Sequence, residues 1–238
     1  MDSFSYTNIF DTKGIEYIVI IGFLLLLVPF WIILNKKVKF ADRIKKVIAF
    51  LTDSDLKIPM GVYHSPQHSW VFLERKGNVK VGLDSLVTKL TGEVSVKMLK
   101  EPGDSIIKGE QVGEILKDGK GLRLISPISG QLVESNPEIS ETPECLTQDP
   151  YGSGWIYSIS PANWKAEVNS YFLAGEASAW MKNELGRFRD FIAEISARNS
   201  ETPQMAILQD GGQLVENTLE TFPEETWIEF EKKFLLTE

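Results

Sequence analysis

The chain has 238 residues, of which 25 are basic and 33 acidic, so its formal net charge is −8 at pH 7. This length allows one globular domain with appendages or two small domains, and a hydrophobic content of 43% excludes wholesale disorder. The acidic balance argues against nucleic-acid binding, and the single cysteine excludes internal disulfides and multi-cysteine metal sites.

An uncharged apolar run lies near the N-terminus, from Tyr17 to Leu34. Its length is near the lower limit for crossing a bilayer, and it is apolar on every side, which a one-sided core helix does not need. A cleaved signal peptide would begin with basic residues, and this chain does not. The run therefore predicts a single transmembrane helix over residues 15–35, after a short extracytoplasmic N-terminus of residues 1–14.

Positive charge is distributed unevenly around this run. Residues 1–14 contain one lysine, whereas residues 35–57 contain seven basic residues. The positive-inside rule therefore predicts a membrane protein with its N-terminus outside and its C-terminal domain in the cytoplasm. With a transmembrane helix, the lipid bilayer is the first expected partner of the protein. The basic stretch of residues 36–58 is either a helix lying along anionic head groups or a solvated linker.

Short β-like segments, each closed by glycine or a polar turn, follow from about residue 60. Strands of this length, spaced about 8–15 residues apart, predict a small barrel or sandwich. A short helix is expected between Asp84 as N-cap and Gly92 as terminator. Asp118-Gly119 between apolar runs predicts a hairpin turn. The expected strands are Trp70–Glu74, Val79–Gly82, Val94–Leu99, Gln111–Leu116, Leu122–Ile125, Gln131–Glu134 and Trp155–Ile159.

A series of short motifs runs through these segments in a fixed order. The series resembles the H protein of the glycine cleavage system over about residues 60–183. This resemblance implies a β-rich barrel-sandwich hybrid closed by an α-helix, expected at Ala174–Ile195. The full expected fold is one transmembrane helix plus an α+β soluble domain of this type with C-terminal helices. The motifs are His68-Ser69-Trp70-Val71, Val81-Gly82-Leu83-Asp84, Leu90-Thr91-Gly92-Glu93-Val94, Pro102-Gly103-Asp104, Lys108-Gly109-Glu110, Ser126-Pro127-Ile128-Ser129-Gly130 and Tyr151-Gly152-Ser153-Gly154-Trp155-Ile156.

The resembled family carries lipoic acid on one lysine at the tip of a hairpin. The spacing between the motifs on either side of this tip matches without a gap, and it assigns the lipoyl-lysine position to Gly119. Lys120 follows one residue late, and Lys117 precedes by two. The resemblance thus implies a domain without a cofactor, whose Lys120 is a solvated turn residue. The alternative is a carrier that uses an exposed Lys120 for lipoate.

Other constellations of reactive residues are poor candidates. His64 and His68 are four residues apart, but Pro66 makes the segment extended, so the two imidazoles are not expected to converge on a metal. Cys145 has no basic neighbour that lowers its pKa and is expected to be inert. No nucleophile–base arrangement is recognisable, and the sequence predicts neither catalytic residues nor enzyme activity.

The C-terminal region, residues 184–238, is expected to be a helical and acidic extension. Residues 201–238 hold nine acidic residues against two lysines, a charge of −7. Asp210-Gly211-Gly212 predicts a hairpin turn between Met205–Gln209 and Gln213–Glu216. Three aromatic residues fall on one face of a short terminal helix and either close over the domain or bind a partner: Trp227, Phe230 and Phe234.

Together, the anchor and the resemblance imply a non-catalytic accessory subunit or adaptor of a bacterial membrane complex, located in the inner membrane. A respiratory oxidoreductase is the expected class of partner. Two alternatives remain: a lipoyl carrier working through Lys120, and a membrane-fusion-type adaptor. The second would need its domain outside the cytoplasm and a long α-hairpin inserted in the lipoyl motif, and the sequence predicts neither.

Overall fold

The computed structural model describes residues 17–27, 51, 56, 58–198 and 214–236. The chain divides into two compact units, Met1–Ile48 and Ala49–Glu238. In the first unit the described element is helix α1, residues 17–27. The second unit contains the sheets and the remaining helices.

The transmembrane prediction for residues 15–35 is wrong. Across the described residues, no helix combines the length and the apolar character needed to cross a membrane. The described part of helix α1 has eleven residues and rises about 16 Å, roughly half the hydrocarbon thickness of a bilayer. The predicted inner-membrane location and orientation depended on this span and are wrong for the same reason. Residues 1–14, most of 36–58 and most of the hairpin expected around Asp210 lie outside the described residues.

Among the described residues, ten strands form two antiparallel sheets around one hydrophobic core, which confirms the β-rich barrel-sandwich prediction. The larger sheet has the strand order β10-β1-β2-β3-β9-β8-β5, and the smaller has the order β4-β6-β7. The two-residue strands β1, β5 and β10 escaped prediction because they are too short to show alternation. The strands are β1 Tyr63–His64, β2 Ser69–Leu73, β3 Val79–Leu83, β4 Ser95–Met98, β5 Ser105–Ile106, β6 Gln111–Lys117, β7 Lys120–Ile125, β8 Gly130–Ser135, β9 Tyr157–Pro161 and β10 Phe172–Leu173.

The barrel core is built from aliphatic side chains on alternate strand positions. Val79 and Ile159 pair across β3 and β9, and both are fully buried. Trp70 on β2 lies directly opposite Gly82 on β3. A Cβ at position 82 would approach the Trp70 indole to 2.7 Å, so the ring requires glycine at this position.

The helices contribute buried residues to the same hydrophobic core as the strands. Helix α2, Ser85–Thr91, begins as predicted at Asp84, whose carboxylate accepts a hydrogen bond from the Val87 amide at 3.0 Å. Short helices α3 Glu138–Glu141, α4 Cys145–Gln148 and α5 Trp164–Glu167 follow. The longest helix, α6, spans Ala174–Arg198 and buries one apolar stripe against the core. Its buried apolar residues are Ala177, Met181, Leu185, Phe188, Phe191, Ile192 and Ile195.

Candidate functional site

A two-residue turn closes the hairpin between β6 and β7. Its residues, Asp118 and Gly119, have φ values of +50° and +81°. Two positive φ values are what a type I′ turn requires, because this turn matches the twist of the flanking strands. Lys117 and Lys120 form the last cross-strand pair before it. The Asp-Gly signal therefore predicted this turn correctly.

Gly119 lies at the exposed apex of the hairpin, the position that the resemblance assigns to the lipoyl lysine. A Cβ placed there meets no heavy atom within 4 Å, so space does not demand glycine. Its positive φ does favour glycine, since other residues pay about 1 kcal/mol in this conformation. The apex is thus open and offers no side-chain amine.

Lys120 is half-buried, although the sequence suggested a solvated side chain. Its ammonium donates hydrogen bonds to the carbonyl oxygens of Glu220 and Phe222, both at 2.8 Å. The same nitrogen lies 5.5 Å from the centre of the Trp227 ring, within the range of a cation–π interaction. The residues that enclose Lys120 are about 100 positions away in sequence, so no local sequence pattern predicts the enclosure.

Lys117 is bound to the same stretch of chain. Directly opposed residues of an antiparallel pair share one face of the sheet, so both lysines point the same way. The Lys117 ammonium lies 3.1 Å from a carboxylate oxygen of Glu220, and its side chain is only 12% exposed. Both lysines of the hairpin tip are therefore occupied by one segment.

This segment, residues 214–236, is the C-terminal cap. It contains a 3-10 helix, Thr218–Thr221, an α-helix, α7 Glu224–Phe230, and a π-helical turn, Glu231–Leu235. The indole nitrogen of Trp227 donates to the Leu219 carbonyl at 2.8 Å, which ties α7 to the 3-10 helix. The cap thus folds into a compact unit directly over the hairpin.

The three aromatic candidates for partner binding are in the interior. Trp227, Phe230 and Phe234 are 0%, 1% and 2% exposed. The two phenylalanine rings stack with their centroids 5.0 Å apart, and each also contacts Phe188 and Phe191 of α6. A partner protein would reach these rings only after displacing the cap.

Opposite charges add to the contact between cap and barrel. The Glu231 carboxylate accepts hydrogen bonds from the Arg123 backbone amide at 2.6 Å and from its guanidinium at 3.1 Å. Arg123 lies on β7, the edge strand of the smaller sheet, so Glu231 occupies an amide that another strand would use. Lys89 at the end of α2 pairs with Glu216. Acidic side chains of the extension are thus directed at basic residues of the barrel.

A second cluster of buried charged side chains surrounds His68, which lies in the turn before β2. Its Nδ1 lies 2.6 Å from a carboxylate oxygen of Asp84, and its Nε2 lies 3.4 Å from Glu184 on α6. Burial by itself lowers the pKa of His68, but Asp84 and then Glu184 outweigh burial and raise the pKa to about 9. His68 is therefore an imidazolium at neutral pH. The sequence identified Asp84 only as a helix cap. It did not identify Glu184, because its pattern is the same as that of any polar residue in a helix.

His64 and Cys145 have different surroundings. His64 packs edge to face on Tyr151, and burial lowers its pKa to about 4. No group of three or more potential metal ligands occurs within the described ranges. Burial raises the pKa of the Cys145 thiol, and the Glu138 carboxylate adds to the shift. A raised pKa keeps the thiol protonated and unreactive.

Comparison with known proteins identifies relatives of the barrel. A family model described as "Glycine cleavage H-protein" matches residues 62–184. The chain is 30% identical over 129 residues to a "Probable glycine cleavage system H protein" of Pyrococcus abyssi, a stretch covering 54% of this chain and 96% of the relative. It is 33% identical over 129 residues to a "Glycine cleavage system H protein" of Chromobacterium violaceum, covering 54% and 97%.

Among solved structures, a crystal structure of a glycine cleavage system H protein from Mycobacterium marinum matches at 30% identity and a TM-score of 0.46. The match covers 53% of this chain and 99% of that one. The C-terminal cap lies outside the residues that the family model matches. The hairpin of this chain is therefore covered by a segment additional to the family's domain.

Proposed function

The chain belongs to the glycine cleavage H-protein family, and on this premise we propose that it is a non-catalytic, H-protein-like subunit or adaptor that carries no lipoyl group. The observation that carries the proposal is the enclosure of Lys120 by the C-terminal cap, next to a glycine at the hairpin apex. The chain has the fold of a lipoyl carrier, but the amine of Lys120, which a carrier would use, is already bound by the C-terminal cap.

Lipoylation of Lys120 would conflict with the closed cap for a chemical reason. An ammonium group has three N–H donors and a positive charge, whereas the nitrogen of a lipoyl amide has one donor and no charge. One of the two cap carbonyls, Glu220 or Phe222, would then lose its hydrogen bond. The cation–π interaction with Trp227 would also disappear. Amide formation on Lys120 therefore competes directly with cap closure.

Residues that hold the barrel together are tightly constrained by packing, whereas the apex of the hairpin is not. Features that hold the barrel are retained, such as Gly82 against the Trp70 indole, which no larger residue can replace without a steric clash. The apex position, by contrast, contacts nothing within 4 Å. A chain selected for its surface and shape alone would keep the first kind of position and lose the lysine at the second. This difference supports an adaptor role.

The partner class stays a prediction from the resemblance, with a respiratory oxidoreductase as the expectation. Co-purification of the tagged chain from its native source tests it, and a Lys120→Arg variant should retain the same partners. The membrane-fusion alternative loses its basis, because a two-residue turn stands where that class carries a long α-hairpin.

One observation favours a second function, that of a lipoyl carrier. The relatives are named glycine cleavage system H proteins, and Lys120 is still only one residue from the family's modified position. Such a carrier would have to release the cap before lipoylation.

In vitro lipoylation separates the two functions. The full chain is incubated with lipoate, ATP and a lipoate–protein ligase, beside a lipoyl-accepting H protein as positive control. Peptide mass spectrometry then follows residues 111–125. We expect complete modification of the control and none of Lys117 or Lys120. A Gly119→Lys, Lys120→Arg double variant restores an amine at the open apex, and we expect it to accept lipoate. A lipoyl adduct on Lys120 of the unaltered chain, in this assay or after native expression, would overturn the proposal.

A further inference from the structure

The barrel, helix α6 and the C-terminal cap meet at His68. Its ring pairs with Asp84 of the barrel at 2.6 Å and with Glu184 of α6 at 3.4 Å. The ring centroid lies 4.9 Å from that of Trp180 on α6 and 6.2 Å from that of Phe234 in the cap. One buried side chain thus contacts all three parts.

The backbone of His68 is also specialised for this position. His68 has a φ of +60°, in the left-handed region that residues with a side chain rarely adopt, and its side chain is 1% exposed. Its amide donates to the Ser65 carbonyl at 3.1 Å, and its carbonyl accepts from the Asp84 amide at 3.0 Å. The strained turn therefore aims the ring inward and holds it beside Asp84.

We propose that His68 is a positioning residue that locks the C-terminal cap over the hairpin tip, so that Lys120 becomes accessible only when the ion pairs of His68 are broken. The proposal rests on the enclosure of Lys120 on which the proposed function also depends, and it adds the device that maintains this enclosure.

Two routes connect His68 to the cap. In the first, Phe234 faces His68 and stacks on Phe230, the last residue of the helix that places Trp227 beside Lys120. In the second, the Glu184 carboxylate binds the Arg187 guanidinium at 2.7 and 2.8 Å. Arg187 in turn donates to the Lys233 carbonyl of the cap at 3.2 Å. Breaking the His68–Glu184 pair weakens the second route directly, and it affects the first because the ring that faces Phe234 loses one of the two carboxylates that hold it.

The charges around His68 make its protonated form the locking form. Asp84 and Glu184 carry the opposing negative charges, and burial of these groups makes an uncompensated charge costly. Arg187 is the cation on the far side of Glu184, Tyr151 lies near Asp84, and His64 is the neighbouring neutral imidazole. A neutral ring leaves both carboxylates without their shared cation.

Acetylation of the folded full chain measures cap opening at Lys120. The probe is the N-hydroxysuccinimide ester of acetic acid at low conversion near neutral pH, read by peptide mass spectrometry. Lys76, exposed in the turn between β2 and β3, is the internal reference. The variants are His68→Gln and Glu184→Gln. The matched control is His64→Gln, which alters a buried histidine that packs on the same Trp180 without pairing to a carboxylate.

In the unaltered chain we expect Lys120 to react far more slowly than Lys76. His68→Gln and Glu184→Gln each remove the ion pair between His68 and Glu184, and each should raise the Lys120 rate about tenfold, as expected when one contact between charged groups is lost from an opening equilibrium. Lys76 should not change, and neither should Lys120 in His64→Gln. Glu184→Gln leaves the His68–Asp84 pair in place, so it remains informative if His68→Gln fails to show a cooperative thermal transition.

A pH profile adds a readout that a purely structural histidine would not give. The ratio of Lys120 to Lys76 labelling should rise as pH increases through about 9, and His68→Gln should remove that component. Equal labelling of the two lysines in the unaltered chain would overturn the enclosure itself, and with it the proposed function. Protection of Lys120 that is unchanged in both variants, or equally lost in His64→Gln, would overturn the lock alone.

Discussion

The barrel and the C-terminal cap are stabilised by different interactions. The barrel has antiparallel ladders and an aliphatic core in which residues such as Val79 and Ile159 are fully buried. The cap adds no strand to either sheet and is attached through aromatic rings and opposite charges. Segments without a hydrogen-bonded ladder open at lower free energy than the core. We therefore expect the cap to loosen before the barrel unfolds.

The largest expected effect comes from Trp227→Ala. The substitution empties a fully buried site and removes the hydrogen bond to the Leu219 carbonyl. Large-to-small changes of this kind cost about 3–5 kcal/mol. We expect native-state hydrogen exchange to accelerate across residues 218–235 while the β-strands keep most of their protection. Equal acceleration in the strands would show that cap and barrel form one cooperative unit.

The second expected effect is a loss of stability with rising pH. The pKa of His68 is raised from 6.5 to about 9 in the folded chain, so its contribution is complete below about pH 6.5 and is lost as pH rises through about 9. A shift of this size corresponds to roughly 3 kcal/mol. Urea unfolding of the unaltered chain and of His68→Gln, at several pH values, should give curves that converge at high pH. Parallel curves would contradict the assignment.

The barrel provides the contrasting substitution, Gly82→Ala. Its Cβ would lie 2.7 Å from the Trp70 indole, and overpacking costs about 1–3 kcal/mol. Because this clash lies within the ladder of β2 and β3, exchange should accelerate throughout the strands and not mainly in the cap. An effect confined to residues 218–235 would reverse the expected division between the two regions.

A smaller effect is expected from Lys120→Met. Methionine keeps most of the aliphatic stem but leaves the Glu220 and Phe222 carbonyls without their donor. Loss of these partners costs about 1–2 kcal/mol. Chemical denaturation should show this loss, and exchange in the cap should accelerate. Lys76→Met is the control, since Lys76 is exposed, and it should leave stability unchanged. Similar values for both variants would show that the Lys120 contacts contribute nothing.

The smallest effect is expected at the apex. Gly119→Ala meets no neighbouring atom, and only its φ of +81° opposes the change, at about 1 kcal/mol. Thermal unfolding should show a slight decrease, and Lys120 should remain as protected from acetylation as in the unaltered chain. Exposure of Lys120 in this variant would mean that the turn conformation, in addition to the cap, controls access to the lysine.

Sequence reasoning succeeded where a local rule determines the structure. The Asp118-Gly119 turn follows from the left-handed conformations that these residues tolerate, and the start of α2 follows from the capping carboxylate of Asp84. The seven expected strands follow from short β-like runs closed by glycine or polar turns, and the apolar stripe of α6 follows from a period of 3.6 residues. The transmembrane prediction rested on uncharged composition and not on such a local rule, and no helix among the described residues is long and apolar enough to cross a membrane.

The sequence by itself therefore determined the family's barrel and the tight turn at the hairpin tip, with Gly119 as the second residue of that turn. Only the tertiary structure decided that Lys120 is enclosed, that Trp227 covers it, and that His68 is shared between Asp84 and Glu184. The physical reason is distance along the chain. A lysine or glutamate carries the same local pattern whether it is solvated or paired, and its protonation and accessibility depend on partners that folding brings from 16 to 116 residues away.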